Sequence, residues 1–225
     1  MKILSKLSIS LLWLIMLCPY LVAQDLEIDG SAKITEMDPA SSSANLVGRE
    51  ADGTLVLISP PSYTFAVGDL AHGGVVFWVT PSGKHGRVAS LHNISGMAWS
   101  DVYSEIGSSA QSTTNGAGNS VAIASQSGHT MSAAQHCLDL AFAGYDDWYL
   151  PSKDELNQMF TSKAAIESTA TANGGEVFIA TSYWSSTESD NDTAEAWNQN
   201  FFGAGNQQAD GKSTPSFAVR AIRAF

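Results

Sequence analysis

The residues best suited to chemistry in this chain are oxygen donors crowded into one short stretch. Glu188-Ser189-Asp190-Asn191-Asp192 sets three carboxylates, a hydroxyl and an amide within five positions. Such a set suits a hard cation such as Ca²⁺, with Asp190 and Asp192 as its candidate ligands, or the hydroxyls of a sugar. It is not an EF-hand loop: counted from Asp190, the sixth position is Glu195 where that loop needs Gly, and the twelfth is Phe201 where it needs Glu. Trp197 follows closely, with Asn198, Gln199 and Asn200 behind it and the polar turn Asn206-Gln207-Gln208 further on. An aromatic ring beside side-chain amides is a common sugar-binding composition. Strand alternation puts Trp197 and Gln199 on one face and Asn198 and Asn200 on the other. The candidate ligand-binding set is therefore Glu188, Asp190, Asn191, Asp192, Trp197, Gln199 and Asn206.

Other reactive residue types fall into patterns better explained by structure. Asp146 and Asp147 are adjacent, and neighbouring carboxylates can push one pKa upward or share a cation; the plainer expectation is a turn leading into the capped helix, with one Asp of the pair satisfying backbone amides. His72, His85, His92, His129 and His136 lack the spacing of a zinc site. Cys137 stands beside His136, but helical neighbours point about 100° apart, and Cys137 falls on an apolar face, which predicts a buried inert thiol. No catalytic residue is assigned, and the chain is not expected to be an enzyme.

The elements that would hold these residues begin after an address. Lys2 and Lys6 precede the apolar run 11–17, far short of the roughly 20 residues that span a bilayer. Residues 1–23 are expected to be an export signal, giving a secreted or cell-surface protein with no membrane span. Residues 24–58 form an expected β-rich stem, with Asp25–Ile34 alternating as a half-buried strand and Thr54–Ile58 as a second. Two short strands are not stable alone, so the stem is expected to pair with other copies, a trimer being one form. Ser59-Pro60-Pro61-Ser62 is a stiff hinge.

The main domain is expected over 63–225. Val75–Val79 is its first strong strand and Arg87–Leu91 a hairpin partner; 104–128 reads as a long surface loop. Met131–Phe142 reads as a helix with Ala134, Cys137, Leu138 and Ala141 on one face, capped by Thr130 or Ser132. Ser152-Lys153-Asp154-Glu155 is a capping box: the Ser152 hydroxyl accepts from the Glu155 amide, and the Glu155 carboxylate reaches back to the Ser152 amide. This second helix should run to about Lys163. A strand around Val177–Ile179, Tyr183-Trp184, Ala196–Phe202 and a terminal strand Phe217–Phe225 complete the order. Trp148, Tyr149 and Trp184 are expected in the core. Arg220 and Arg223 should face opposite sides of a strand, at least one of them pairing with an acid near the helix start such as Asp154 or Glu188.

Charge narrows the partners. The chain has 22 acidic and 11 basic side chains, a net −11, and removal of Lys2 and Lys6 takes it to −13. Nucleic acid, anionic lipid and sulfated polysaccharide are repelled at long range, while neutral glycans, surface proteins and cations remain. Without residues 1–23 Cys137 is the single cysteine, so no intrachain disulfide can form.

The stretch Tyr145-Asp146-Asp147-Trp148-Tyr149-Leu150-Pro151-Ser152-Lys153-Asp154-Glu155-Leu156, then Tyr183-Trp184-Ser185-Ser186-Thr187-Glu188, Ala196-Trp197 and Val219-Arg220-Ala221-Ile222-Arg223, resembles the Lcl C-terminal-domain family of bacterial exported proteins. Gly68-Asp69 and Gly73–Trp78 fit the same pattern. The resemblance implies an α+β, C-type-lectin-like fold, in which two helices flank antiparallel strands and the first and last strands pair. It also implies adhesion, since the best-known members are tips of surface adhesins that bind glycosaminoglycans. A domain this acidic departs from that ligand, so the binding role carries over and the sulfated chain does not. The enzymatic relatives of the fold that form formylglycine work through a cysteine pair, which residues 24–225 do not contain. The resulting expectation is a noncatalytic surface recognition or adhesion protein binding a glycan or protein, with Ca²⁺ as the one candidate cofactor. Its rivals are an architectural self-assembling protein and, third, a two-carboxylate glycosidase. Asp147, Trp148, Ser152, Glu155, Trp184 and Arg220 are assigned structural roles.

Overall fold

Antiparallel pairing of short apolar runs begins just before the double proline. The computed structural model describes residues 46–49, 51, 55–58 and 63–225, and the chain divides between Pro60 and Pro61 into two units. In the first unit β1 (Leu46–Arg49) pairs with β2 (Leu55–Ile58), Leu46 opposite Ile58 and Arg49 opposite Leu55. β2 is the strand expected over Thr54–Ile58; β1 was unassigned by its sequence pattern. The expected export signal, the strand Asp25–Ile34 and the hinge 59–62 lie outside the described residues.

The second unit is a mixed α+β domain. Its elements run β3 (Leu70–Ala71), β4 (Gly74–Val79), β5 (Gly86–Ala89), β6 (Ile94–Met97), a 3₁₀ turn (Gly107–Ser109), α1 (Gly116–Ala124), α2 (Ala133–Leu138), α3 (Lys153–Thr161), α4 (Lys163–Ala172), β7 (Ser182–Glu188), β8 (Glu195–Asn200), β9 (Gln207–Gly211), β10 (Phe217–Val219) and β11 (Ile222–Ala224). One sheet has the order β11-β5-β4-β3, the other β6-β10-β7-β8-β9. Within the second, β7 and β10 run parallel and the remaining pairs antiparallel.

Several expectations are corrected here. The described residues hold four α-helices, not two. α1 lies inside the stretch expected to be a loop; Asn115 caps it by accepting from the Gly118 amide. Its first residue, Gly116, is where a Cβ would meet the Leu150 carbonyl oxygen at 2.6 Å and collide with the Glu155 carboxylate. The helix expected over Met131–Phe142 is shorter, Ala133–Leu138, with Ser132 as its cap. α4 continues beyond the expected end of α3 after a break at Ser162. Val177–Ile179 is not a strand: the Phe178 amide donates to Glu167 Oε1 and the Ile179 amide to the Tyr183 hydroxyl, so side chains replace a ladder. Gln207–Gly211 forms an unforeseen strand, and the expected terminal strand is interrupted at Arg220. β11 pairs with β5, while β3 sits at the opposite edge of that sheet, so first and last strands do not pair.

The core contains Trp99, Trp148 and Trp184, each fully buried. Their indole N–H groups donate to the carbonyls of Ser185, Tyr145 and Met97 at 2.7, 3.2 and 3.0 Å, which satisfies the one polar atom each ring carries inward. Phe77, Leu156, Met159, Tyr183 and Phe201 form a second apolar cluster. Tyr149 is buried as expected, and Cys137 is buried with its thiol pKa pushed up by desolvation.

Candidate functional site

Two strands, one helix start and two loop segments meet around an open cleft of about 490 Å³, lined by Gln111, Thr113, Lys153, Thr187, Glu188, Asp190, Asn191 and Trp197. The helix start is the most firmly built part. Ser152 and Glu155 complete the expected capping box. The Glu155 carboxylate accepts from the Ser152 amide at 2.9 Å and from the Gly116 amide at 3.1 Å, and pairs with Arg87 Nε at 2.9 Å. One buried carboxylate thus joins α1, α3 and β5. The next residue outward, Lys153, has its amide on Thr187 Oγ1 at 2.9 Å and its carbonyl accepting from Gln207 Nε2 at 2.8 Å.

Glu188 ends β7, and here the expectation of a ligand-binding side chain is corrected. Its carboxylate is withdrawn from solvent, 2.6 Å from Lys212 Nζ, and accepts from the amides of Ile106 and Gly107, Gly107 at 2.7 Å. Lys212 also donates to the Ser104 carbonyl at 3.0 Å. The pair therefore fastens the 104–107 segment to β7 and to the end of β9, and leaves Glu188 no role in holding a ligand by its side chain.

The loop beyond β7 presents Asp190 and Asn191 to the cleft, linked to one another by Asn191 Nδ2 donating to Asp190 Oδ1 at 3.2 Å. Ser189 anchors the loop, its Oγ accepting from the Asn191 amide at 3.3 Å. Asp192 is exposed and caps the Ala194 amide at 2.9 Å without lining the cleft. Among the described residues no group of three or more His, Cys, Asp or Glu stands together as a metal site, and Asp190 with Asp192 falls short of the six to eight oxygens Ca²⁺ takes.

Trp197 forms the cleft wall on β8, half-buried, with Lys153 Nζ 3.1 Å from its ring centroid. Partial burial holds the Lys153 pKa below its usual range, opposed by the carboxylates of Asp154 and Asp190. Gln199 also turns toward α3, two residues along β8, donating to Asn157 Oδ1 at 2.9 Å and to the Gly205 carbonyl at 3.0 Å. It is fully buried and outside the cleft, which corrects its assignment to the ligand. Asn206 is exposed on the β8–β9 turn and does not line the cleft either. Asn198 points away as expected, donating to the Gln208 carbonyl and to Asp210 Oδ2. The structure thus brings Asp190, Asn191 and Trp197 together and adds Gln111, Thr113 and Lys153. Lys153 was visible only as a member of the capping box; its place at the first turn of α3 is what aims it at β8.

The arginines sort differently from expectation. Arg223, not Arg220, makes the ion pair, and its partner is Asp147, at 2.5 Å through Nε and 2.9 Å through Nη2, rather than Asp154 or Glu188. Asp147 serves this guanidinium, and its carboxyl is held below the usual range chiefly by that hydrogen bond. Arg220 is fully buried and donates to the carbonyls of Ser90, Leu91 and Glu176. Desolvation brings its pKa down to about 10.

A mixed α+β domain with a polar, aromatic-walled cleft at a helix start defines the class. The family model described as the Lcl C-terminal domain matches residues 89–223, and the chain belongs to that family. A search of curated proteins finds no match to the chain. No helix among the described residues is long and apolar enough to cross a membrane.

Proposed function

We propose that the chain is an exported, noncatalytic recognition protein whose C-type-lectin-like domain binds a neutral glycan in the cleft between the start of α3 and β8. The observation that carries this reading is the meeting of Asp190, Asn191 and Trp197 with Gln111, Thr113 and Lys153 in one open cleft. Carboxylate, amides and hydroxyl supply both donors and acceptors for sugar hydroxyls, and an indole supplies apolar contact. Recognition is favoured over hydrolysis because Glu188 is committed to Lys212, which leaves Asp190 as the one lining carboxylate free of an ion pair, whereas a glycosidase needs two. The net −11 charge favours neutral or cationic ligands over polyanions.

Residues 1–23 direct the chain to the cell surface, and the stem gathers copies. The second of these is supported by the β1–β2 hairpin, which is too short to be stable unaided. That same feature supports the rival reading of an architectural, self-assembling protein. The two part on a neutral-glycan array probed with residues 24–225, with and without Ca²⁺. Reproducible binding lost on Asp190→Ala supports recognition, and Ca²⁺ dependence adds a cation at the 190–192 loop. A blank array from folded, oligomeric protein contradicts glycan recognition and favours assembly.

A further inference from the structure

Lys153 and Lys212 show two ways of holding an ammonium against an indole. Lys212 lies 5.1 Å from the Trp99 ring centroid but is saturated by the Glu188 carboxylate and the Ser104 carbonyl. Lys153 sits closer to its ring, 3.1 Å from the Trp197 centroid, and among the described residues it makes no ion pair. Its backbone is fixed on both sides, the amide by Thr187 and the carbonyl by Gln207, so the helix start delivers the side chain to that ring. The far end of the side chain, with four rotatable bonds and no carboxylate to hold it, is free to leave.

Resting on the glycan-binding reading of this cleft, we propose that Lys153 is its specificity-determining residue: the ammonium covers the face of Trp197 on which a sugar ring would stack, and a ligand binds by displacing it. Trp197 in the resting protein is therefore a covered platform. A ligand must offer more contact to the indole than the ammonium does, which selects sugars presenting a broad apolar ring face and rejects weakly stacking ones. Asp190 lines the same cleft and offers a carboxylate to the ammonium once it swings away.

The test compares residues 24–225 with Lys153→Met and Lys153→Arg on an array of neutral glucose, galactose and N-acetylglucosamine oligomers. Methionine keeps the unbranched shape and helix preference of lysine, one atom shorter, and removes the charge, while arginine restores a cation over the ring. Loss of the cation–π contact should tighten binding about two- to thirty-fold in Lys153→Met, and Lys153→Arg should bind no better than wild type. The resting cover is read without ligand from the Lys153 ε-methylene protons, which the ring current shifts upfield and Trp197→Leu returns to ordinary values. Wild-type binding that Lys153→Met leaves equal or weakens overturns the gate and spares the glycan reading. An unshifted methylene overturns the gate as well. A blank array for both wild type and Lys153→Met overturns gate and glycan reading together.

Discussion

Lys212 Nζ lies 2.6 Å from Glu188 Oε1, and neither side chain touches solvent. Stripping either partner leaves an uncompensated charge in the interior, which costs about 3–5 kcal/mol. Lys212→Met and Glu188→Gln should each lower the unfolding free energy measured in urea by an amount in that range. The double replacement Glu188→Leu with Lys212→Met should recover much of the loss, because an apolar pair of similar volume removes both desolvation penalties. Additive losses in the double variant would contradict this account of the pair.

The capping box offers a graded test. Ser152→Ala removes one acceptor at the start of α3 and should cost about 1 kcal/mol. Glu155→Ala removes the return hydrogen bond, the Gly116 contact and the partner of Arg87, and should cost about 3–5 kcal/mol, as for a broken buried pair. Chemical denaturation of both variants checks the order; equal losses would mean that Glu155 acts only as a cap.

This part of the structure was legible because it is local. Ser152 and Glu155 stand three residues apart, and their hydrogen bonds follow from helix geometry alone. Trp148 and Trp184 were likewise assigned correctly to the core. The fate of Glu188 was not legible: its partners are Lys212 and the Ile106 and Gly107 amides, distant in sequence, so a carboxylate in a polar stretch looked like a solvated ligand. α1 was missed because Gly116-Ala117-Gly118-Asn119-Ser120 carries no apolar period. Its small residues are there for close approach, as the contact of Gly116 with Leu150 shows. The apolar run Val177-Phe178-Ile179 misled in the opposite direction, since Glu167 and Tyr183 satisfy amides that a neighbouring strand would otherwise take.

Asp147 supplies a pH dependence. Its hydrogen bonds from Arg223 depress the folded-state pKa, so the pair stabilises the fold above the unfolded aspartate value of about 3.9, and the contribution is lost as pH falls through the lower folded value. The carboxylate is 55 % exposed, so solvent screening keeps the effect modest. Thermal melts should show Asp147→Asn less stable than wild type at pH 7 and the gap closing toward pH 2. A gap that stayed constant to pH 2 would assign the stabilisation to something other than the ionised carboxylate.

Cys137 has no exposed surface, and burial pushes its thiol pKa up. Alkylation by iodoacetamide at pH 8 should be slow in the folded protein and complete in denaturant. Rapid modification of the native form would place Cys137 in a segment that opens readily.

The central claim is that the cleft between Lys153, Asp190 and Trp197 is where this domain meets a neutral glycan. Its most direct test is an amide and indole chemical-shift map of residues 24–225 titrated with neutral oligosaccharides. The account predicts shifts confined to Gln111, Thr113, Lys153, Asp190, Asn191 and the Trp197 indole, and absent in Trp197→Ala. Saturable shifts clustered elsewhere on the domain, or shifts at these positions that persist in Trp197→Ala, would contradict it.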